Sequence, residues 1–288
     1  MEVHNTFERV DDKNGNDKIQ YLQKKLELAE SEISELKQNI EQKVIERTVE
    51  INKSLKDKAR FIDSLSHDLA TPITPLISLL PMIKDELSDE KTKELMDTCI
   101  RNVEYIKRVI NNARELSDVS QTDLVLKKEN LSDIINKLIV RYDLVFNSYN
   151  IKINNNIEKN TNIKTEKNRL IQVLDHVTSN AINSMPEGGT LTFNSKIVKK
   201  EDQNFIQISI TDTGKGLTRE QIDRLFDEFY KTDESRHKLD STGLGLAICK
   251  KIINKHGGKI WADSHGIDKG TTIYFTIPSE ESIYTRSF

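Results

Sequence analysis

The sequence predicts an α+β protein: an N-terminal coiled coil and helical hairpin, which pairs into a four-helix bundle as a dimer, followed by an α/β sandwich. Three observations carry this. An apolar seam with alternating three- and four-residue spacing opens the chain, a second long helical stripe follows a short break, and alternating strand patterns interleave with helices beyond about residue 119.

The seam is formed by Ile19, Leu22, Leu26, Ala29, Ile33, Leu36 and Ile40, with Glu, Lys, Gln and Ser filling nearly everything between them. Its spacing lengthens through Val44, Thr48, Ile51 and Leu55, then resumes at Lys58, Ile62, Leu65 and Leu69. Such a step alters the local supercoil and suits a helix that transmits rotation, and a plain dimer strut reads equally well. The helix runs through FIDSLSHDLA to Pro72, and Leu95, Met96, Cys99, Ile100, Val103, Ile106 and Ile110 mark a second helix over 91–117, with LSDE (87–90) as the turn. Each stripe is wider than one partner needs, so two hairpins are expected to pair. Then come a helix (131–147), strands at 151–155 and 162–165, a helix (166–185), strands LTFNSKIV (191–198) and FIQISITD (205–212), and a helix (218–226). A helix at 244–256 and strands at 260–264 and 271–277 complete one sheet covered by helices on one face.

Composition narrows the function. Apolar residues of the AVILMFWYC set make up 36% of 288 residues, so part of the chain is thinly packed. Lys and Arg (43) nearly balance Asp and Glu (46), which argues against nucleic acid as a partner. The longest apolar run, LISLLPMI (76–83), is too short to span a bilayer and contains a proline, and the acidic start does not read as a secretory signal. Cys99 and Cys249 sit in apolar helical patterns and read as buried thiols of a cytoplasmic protein.

Two constellations carry chemistry. In SHDLATP (66–72), His67 projects from the polar side of a helix whose apolar positions are Ile62, Leu65 and Leu69. An imidazole acts as a nucleophile through one nitrogen when a carboxylate, here Asp68, takes the proton from the other. Thr71, one turn on, shares that face and suits the orientation of a water; Pro72 is expected to bend the helix. Alone, an exposed His-Asp pair is ordinary surface. The second constellation is DTGKG (212–216) at a strand end, where Asp212 suits an amino-bearing ring such as adenine, and TGLGLAI (242–248), whose amides open a helix toward phosphate. Each glycine pair alone reads as a turn. Between them lies a long charged stretch that fits either a cover over a nucleotide or a solvated loop, with Lys231, Arg236 and Lys238 as phosphate-contacting cations. On the helix 166–185, His176 and Asn180 share a face; the Asn amide oxygen suits Mg²⁺, whereas the imidazole suits a polar core position or a hydrogen bond better than that metal.

Taken together, FIDSLSHDLATPIT, DHVTSNAINSMPEGG, DTGKGL, LFDEFYKTD, TGLGLAI and GTTIYFTIP resemble the H, N, first glycine, F, second glycine and closing strand motifs of the two-component sensor histidine kinases, in that order, over roughly 55–278. The resemblance implies a sandwich of the GHKL ATPase type, with 1–54 as polar start and coil, 55–120 as dimerisation and phosphotransfer hairpin, 121–280 as ATP-binding domain and 281–288 as tail. It implies autophosphorylation of His67 with Asp68 as base, and Thr71 used in dephosphorylating the partner. ATP would meet Asn180, Asp212, Gly214, Gly216, Lys231, Thr242, Gly243, Leu244 and Gly245, with Asn180 also holding Mg²⁺ and Phe226 and Phe229 anchoring the lid. The implied partners are a separate response-regulator receiver domain and a second copy of the chain. The family usually has Asn at His176, Lys or Arg at Asn183, and Arg at Ala70. Those departures leave a second expectation standing, a catalytically degenerate ATP-binding scaffold.

Overall fold

A computed structural model describes residues 8–200, 203–231 and 241–279, with side chains from residue 18 onward, residue 200 excepted. Arg236, Lys238 and the tail 281–288 lie outside the described residues. The chain divides into two units, Met1–Lys58 and Ala59–Phe288.

Helix α1 runs from Glu8 to Glu86. In the first unit its seam residues Ile19, Leu22, Leu26, Ile33, Leu36 and Ile40 stand 53–60% exposed. Apolar groups spaced for a coiled coil thus have their apolar area still open to water.

In the second unit α1 meets α2 (Glu90–Gln121) as an antiparallel hairpin. Asp89 caps α2 by accepting from the Thr92 amide (2.9 Å) and hydroxyl (2.6 Å), which fixes where the turn ends. Lys84 pairs with Asp97 at 2.7 Å near the turn, and far from it the Ser117 hydroxyl donates to the Ala59 carbonyl at 3.2 Å. Between these ties, Leu76, Ile77 and Leu80 face Ile100 and Val103. The helix does not stop at Pro72: it passes through Pro72, Pro75 and Pro81. Apolar packing against α2 outweighs the amide bonds that the prolines remove, and the Thr71 and Thr74 hydroxyls add bonds to the carbonyls of His67 (3.0 Å) and Ala70 (2.8 Å). Cys99 is exposed, so only Cys249 fulfils the expectation of buried thiols; burial pushes its thiol upward from the ordinary value. Leu65, Leu69, Leu79, Ile83, Leu95 and Ile106 remain 40–62% exposed, the outer half of stripes wider than one helix covers.

The rest is a sheet with helices on one face. The elements are β1 (Lys127–Asn130), α3 (Leu131–Ser148), β2 (Ile151–Asn155), β3 (Asn162–Thr165), α4 (Lys167–Ser184), β4 (Gly189–Lys200), β5 (Gln203–Asp212), α5 (Arg219–Arg224), α6 (Gly245–Lys255), β6 (Ile260–Asp263) and β7 (Thr271–Pro278). Five strands run in the order β2-β4-β5-β7-β6, parallel only between β2 and β4. Strand β1 pairs antiparallel with β3, with Lys127 opposite Thr165. KKEN is too polar to read as a strand, so β1 is visible only through that pairing. Inward positions of the central strands alternate: Ile206, Ile208 and Ile210 on β5, Ile273, Phe275 and Ile277 on β7. They pack on Leu170, Val173, Leu174 and Val177 of α4 and on Ile248, Ile252 and Ile253 of α6.

One histidine belongs to this core. His256 is 1% exposed; its Nδ1 lies 2.8 Å from the Ile252 carbonyl, and its Nε2 accepts from the Glu166 amide at 3.1 Å. That arrangement uses the neutral ring with the proton on Nδ1, and burial accordingly pulls its pKa below the usual imidazole value.

Candidate functional site

Asp212 occupies the fourth inward position of β5, where the strand pattern would otherwise place an isoleucine. It is therefore 7% exposed, and burial raises its pKa above the ordinary carboxylate value. Donors counter that burial, foremost the Gly214 amide at 2.9 Å and the Ser184 hydroxyl at 3.0 Å, both on Oδ1. The glycine turn behind it is tight. Gly216 has φ +65°, and a Cβ there would fall 2.0 Å from the Gly266 carbonyl oxygen.

The second glycine motif opens α6. Leu244 is the N-cap, fully buried, and makes no side-chain capping bond, so the first amides of α6 are not capped by their own N-cap residue. Gly243 accepts from the Phe229 amide through its carbonyl at 2.9 Å, which joins this turn to the F-motif segment; Phe226 packs on the core while Phe229 is 64% exposed. Asn180 is exposed on α4, one turn before Ser184. Its amide oxygen is a hard donor of the kind Mg²⁺ takes; among the described residues no cluster of three or more His, Cys, Asp or Glu could hold a metal.

His67 lies apart from these groups on α1. Its side chain is 85% exposed, Asp68's 75%, and Nδ1 stands 3.7 Å from Asp68 Oδ1. The pair is too long for a hydrogen bond but close enough to form one after a small rotation. Thr71 donates to the His67 carbonyl, which keeps its hydroxyl on that turn.

The structure also brings together residues that the sequence did not single out. The distal half of α2 is built into the sheet domain: Leu116 and Val119 (6% and 1% exposed) join its core, a burial worth about 3–5 kcal/mol for the two. Polar contacts on the same face fix the register. Asp118 pairs with Arg169, which holds its carboxyl below the ordinary range. The Lys255 ammonium donates to the Ser120 and Thr122 carbonyls (3.1 and 2.8 Å), supplying the cation that the last turn of α2 lacks. Nearer the glycine motif, Asn112 donates to the Thr242 hydroxyl at 2.7 Å, and His176 Nε2 lies 3.3 Å from Glu115 Oε2 while its ring rests against Gly245. His176 therefore takes the hydrogen-bonding role. Lys231 donates to the Tyr105 hydroxyl at 3.0 Å and lies 4.8 Å from that ring's centre. Tyr105, Asn112 and Glu115 share one face of α2 by helical spacing, but being polar they escape a search for apolar stripes.

This pairing of a histidine-bearing helical hairpin with a sheet domain that carries two glycine turns defines a class: a phospho-acceptor module joined to an ATPase module. Residues 57–122 match the His Kinase A (phospho-acceptor) domain, and residues 165–281 match the histidine kinase-, DNA gyrase B- and HSP90-like ATPase. The sensor histidine kinase WalK of Bacillus subtilis (strain 168) is 33% identical over 244 residues, 83% of this chain and 39% of that protein. The chain thus spans well under half the length of that relative. Two solved structures share the fold: full-length ShkA in complex with AMPPNP (TM-score 0.61, 17% identity, 78% of this chain and 47% of that one), and the histidine kinase ThkA in complex with the response regulator protein TrrA (TM-score 0.55, 22% identity, 78% and 64%). The chain belongs to the two-component sensor histidine kinases.

Among the described residues no helix is long and apolar enough to cross a membrane.

Proposed function

We propose that this chain is an ATP-dependent protein histidine kinase that phosphorylates His67 and passes the group to an aspartate of a separate response regulator. The observation that carries this is the coexistence, in one chain, of an exposed His-Asp pair and a buried, donor-held carboxylate at the head of the first of two glycine turns. In this reading residues 55–120 are the dimerising hairpin and 121–280 the nucleotide domain, with 1–54 as coil and 281–288 as tail.

Asp212 accepts from the adenine amino group, the glycine turns at Gly214 and Gly216 let the base approach, and the amides at Gly243, Leu244 and Gly245 meet the phosphates. Thr242 and Lys231 leave Asn112 and Tyr105 to join them. Asn180 would hold Mg²⁺, which when bound neutralises charge on the phosphates. Because Nδ1 faces Asp68, Nε2 is the attacking nitrogen. As the Nε2–phosphorus bond forms, the bond from the γ-phosphorus to its bridging oxygen breaks, ADP leaves with the electron pair, and the Nδ1 proton passes to Asp68. Thr71 then orients the water that dephosphorylates the regulator. The exposed stripes of α1 and α2 support pairing with a second copy. The solved complex of ThkA with a response regulator supports the choice of partner.

Incubation with γ-labelled ATP and Mg²⁺ tests the proposal. Acid-labile, alkali-stable label on the wild type, absent from His67→Ala, is the expected result. Nucleotide binding without label would instead establish the degenerate scaffold that His176 and Asn183 leave open.

A further inference from the structure

We infer that Ser184 is a positioning residue for the base-binding carboxylate, fixing Asp212 so that the site selects a ring bearing an amino donor. The inference rests on the reading of Asp212 given above and adds a residue that none of the sequence motifs assigns to the nucleotide.

Ser184 is the last residue of α4. Its hydroxyl carries one proton and has two acceptors within reach, the Ala181 carbonyl at 2.7 Å and Asp212 Oδ1 at 3.0 Å. A bond to an ionised acceptor is roughly twice as strong as a neutral one, so the carboxylate takes the proton when it is charged. The Gly214 amide donates to that same oxygen at 2.9 Å. Two donors from different elements, the end of α4 and the glycine turn, therefore meet on one oxygen and set the plane of the carboxylate.

The surrounding backbone leaves Ser184 little freedom. Its carbonyl accepts from the Lys215 amide at 3.1 Å, so the end of α4 and the glycine turn are joined by backbone as well as by side chain. A Cβ on Gly214 would lie 2.2 Å from the Ser184 hydroxyl oxygen and 2.6 Å from its carbonyl oxygen. Glycine is thus required at 214 because Ser184 occupies the space beside it. Asp212 is buried, which disfavours its charged form, and the Ser184 hydroxyl is among the groups that restore it. An amino group on an incoming ring needs that ionised, oriented acceptor; a ring with a carbonyl in the same place gains nothing from it.

The test uses the full chain, with Mg²⁺, and calorimetric titration of ADP and of inosine diphosphate, which replaces the amino group by a carbonyl oxygen. Ser184→Ala is expected to weaken ADP about tenfold and to leave inosine diphosphate within about twofold, because the lost bond serves only the amino-bearing base. Ser184→Cys, which keeps the shape with a weaker donor, should fall between the two and covers the case in which the alanine variant does not fold. In an Asp212→Asn background the Ser184→Ala change should have no further effect on ADP. Equal weakening of both nucleotides, or wild-type ADP affinity in both Ser184 variants, overturns the inference while leaving the nucleotide reading in place. A wild-type chain that binds no ADP overturns both.

Discussion

The His67 side chain is 85% exposed, whereas Asp212 keeps 7% of its surface in water. The first is fixed only by its own helix, with one carboxylate 3.7 Å away. The second is held by an amide, a hydroxyl and the strand pattern of a packed sheet. The difference teaches that, in the phosphoryl transfer proposed above, the two halves of the reaction would take opposite settings. A nucleotide pocket gains from groups oriented beforehand, since reorganisation at the moment of binding raises the barrier. A phosphoacceptor that must meet its own nucleotide and then a separate regulator gains from standing free.

The contrast is broken most directly at the acceptor. His67→Gln is expected to abolish labelling by γ-labelled ATP while changing unfolding free energy by no more than about 0.5 kcal/mol in urea titration, as befits an exposed side chain. A large loss of stability would show that the acceptor is part of a packed site after all. On the other side, Gly216→Ala forces a side chain onto φ +65° and onto the Gly266 carbonyl, and should cost about 3 kcal/mol in the same titration. A stable Gly216→Ala variant would mean that the glycine turn is not prebuilt.

Acidity sharpens the comparison. His256 is neutral in the fold and its pKa is lowered by burial, so the unfolded chain binds its proton first as pH falls. Stability from this group is present above about pH 6.5 and declines below it, by at most about 1.4 kcal/mol per pH unit. Denaturant titrations across that range should show the decline in the wild type; a flat profile refutes the buried neutral ring. The smallest effect is at Tyr105→Phe, which keeps the ring beside Lys231 but removes its hydrogen bond. Freeing that cation should tighten ATP about twofold to fivefold in calorimetry. Unchanged affinity would detach Lys231 from the phosphates.

Much of this was legible in the sequence because it depends on local patterns. Three-and-four spacing marked α1 and α2, alternation marked β4, β5 and β7, and the glycine pairs marked both turns. What escaped depends on partners distant in sequence. The strand β1 exists through pairing with β3, Ser184 matters through an aspartate 28 residues on, and Asn112 meets Thr242 across 130. Cys99 misled for a related reason: a residue within an apolar stripe is buried only when something covers that side of the helix. The prolines of α1 misled differently, since packing along the hairpin outweighs their local cost.

Those prolines leave a mark on the helix that carries His67. Pro72, Pro75 and Pro81 have no amide to offer, so the carbonyls of Asp68, Thr71 and Ile77 lack their usual donors one turn ahead. The stretch of α1 that begins one residue after His67 is thus held by fewer backbone bonds than an unbroken helix of the same length, and leans instead on its neighbour for support.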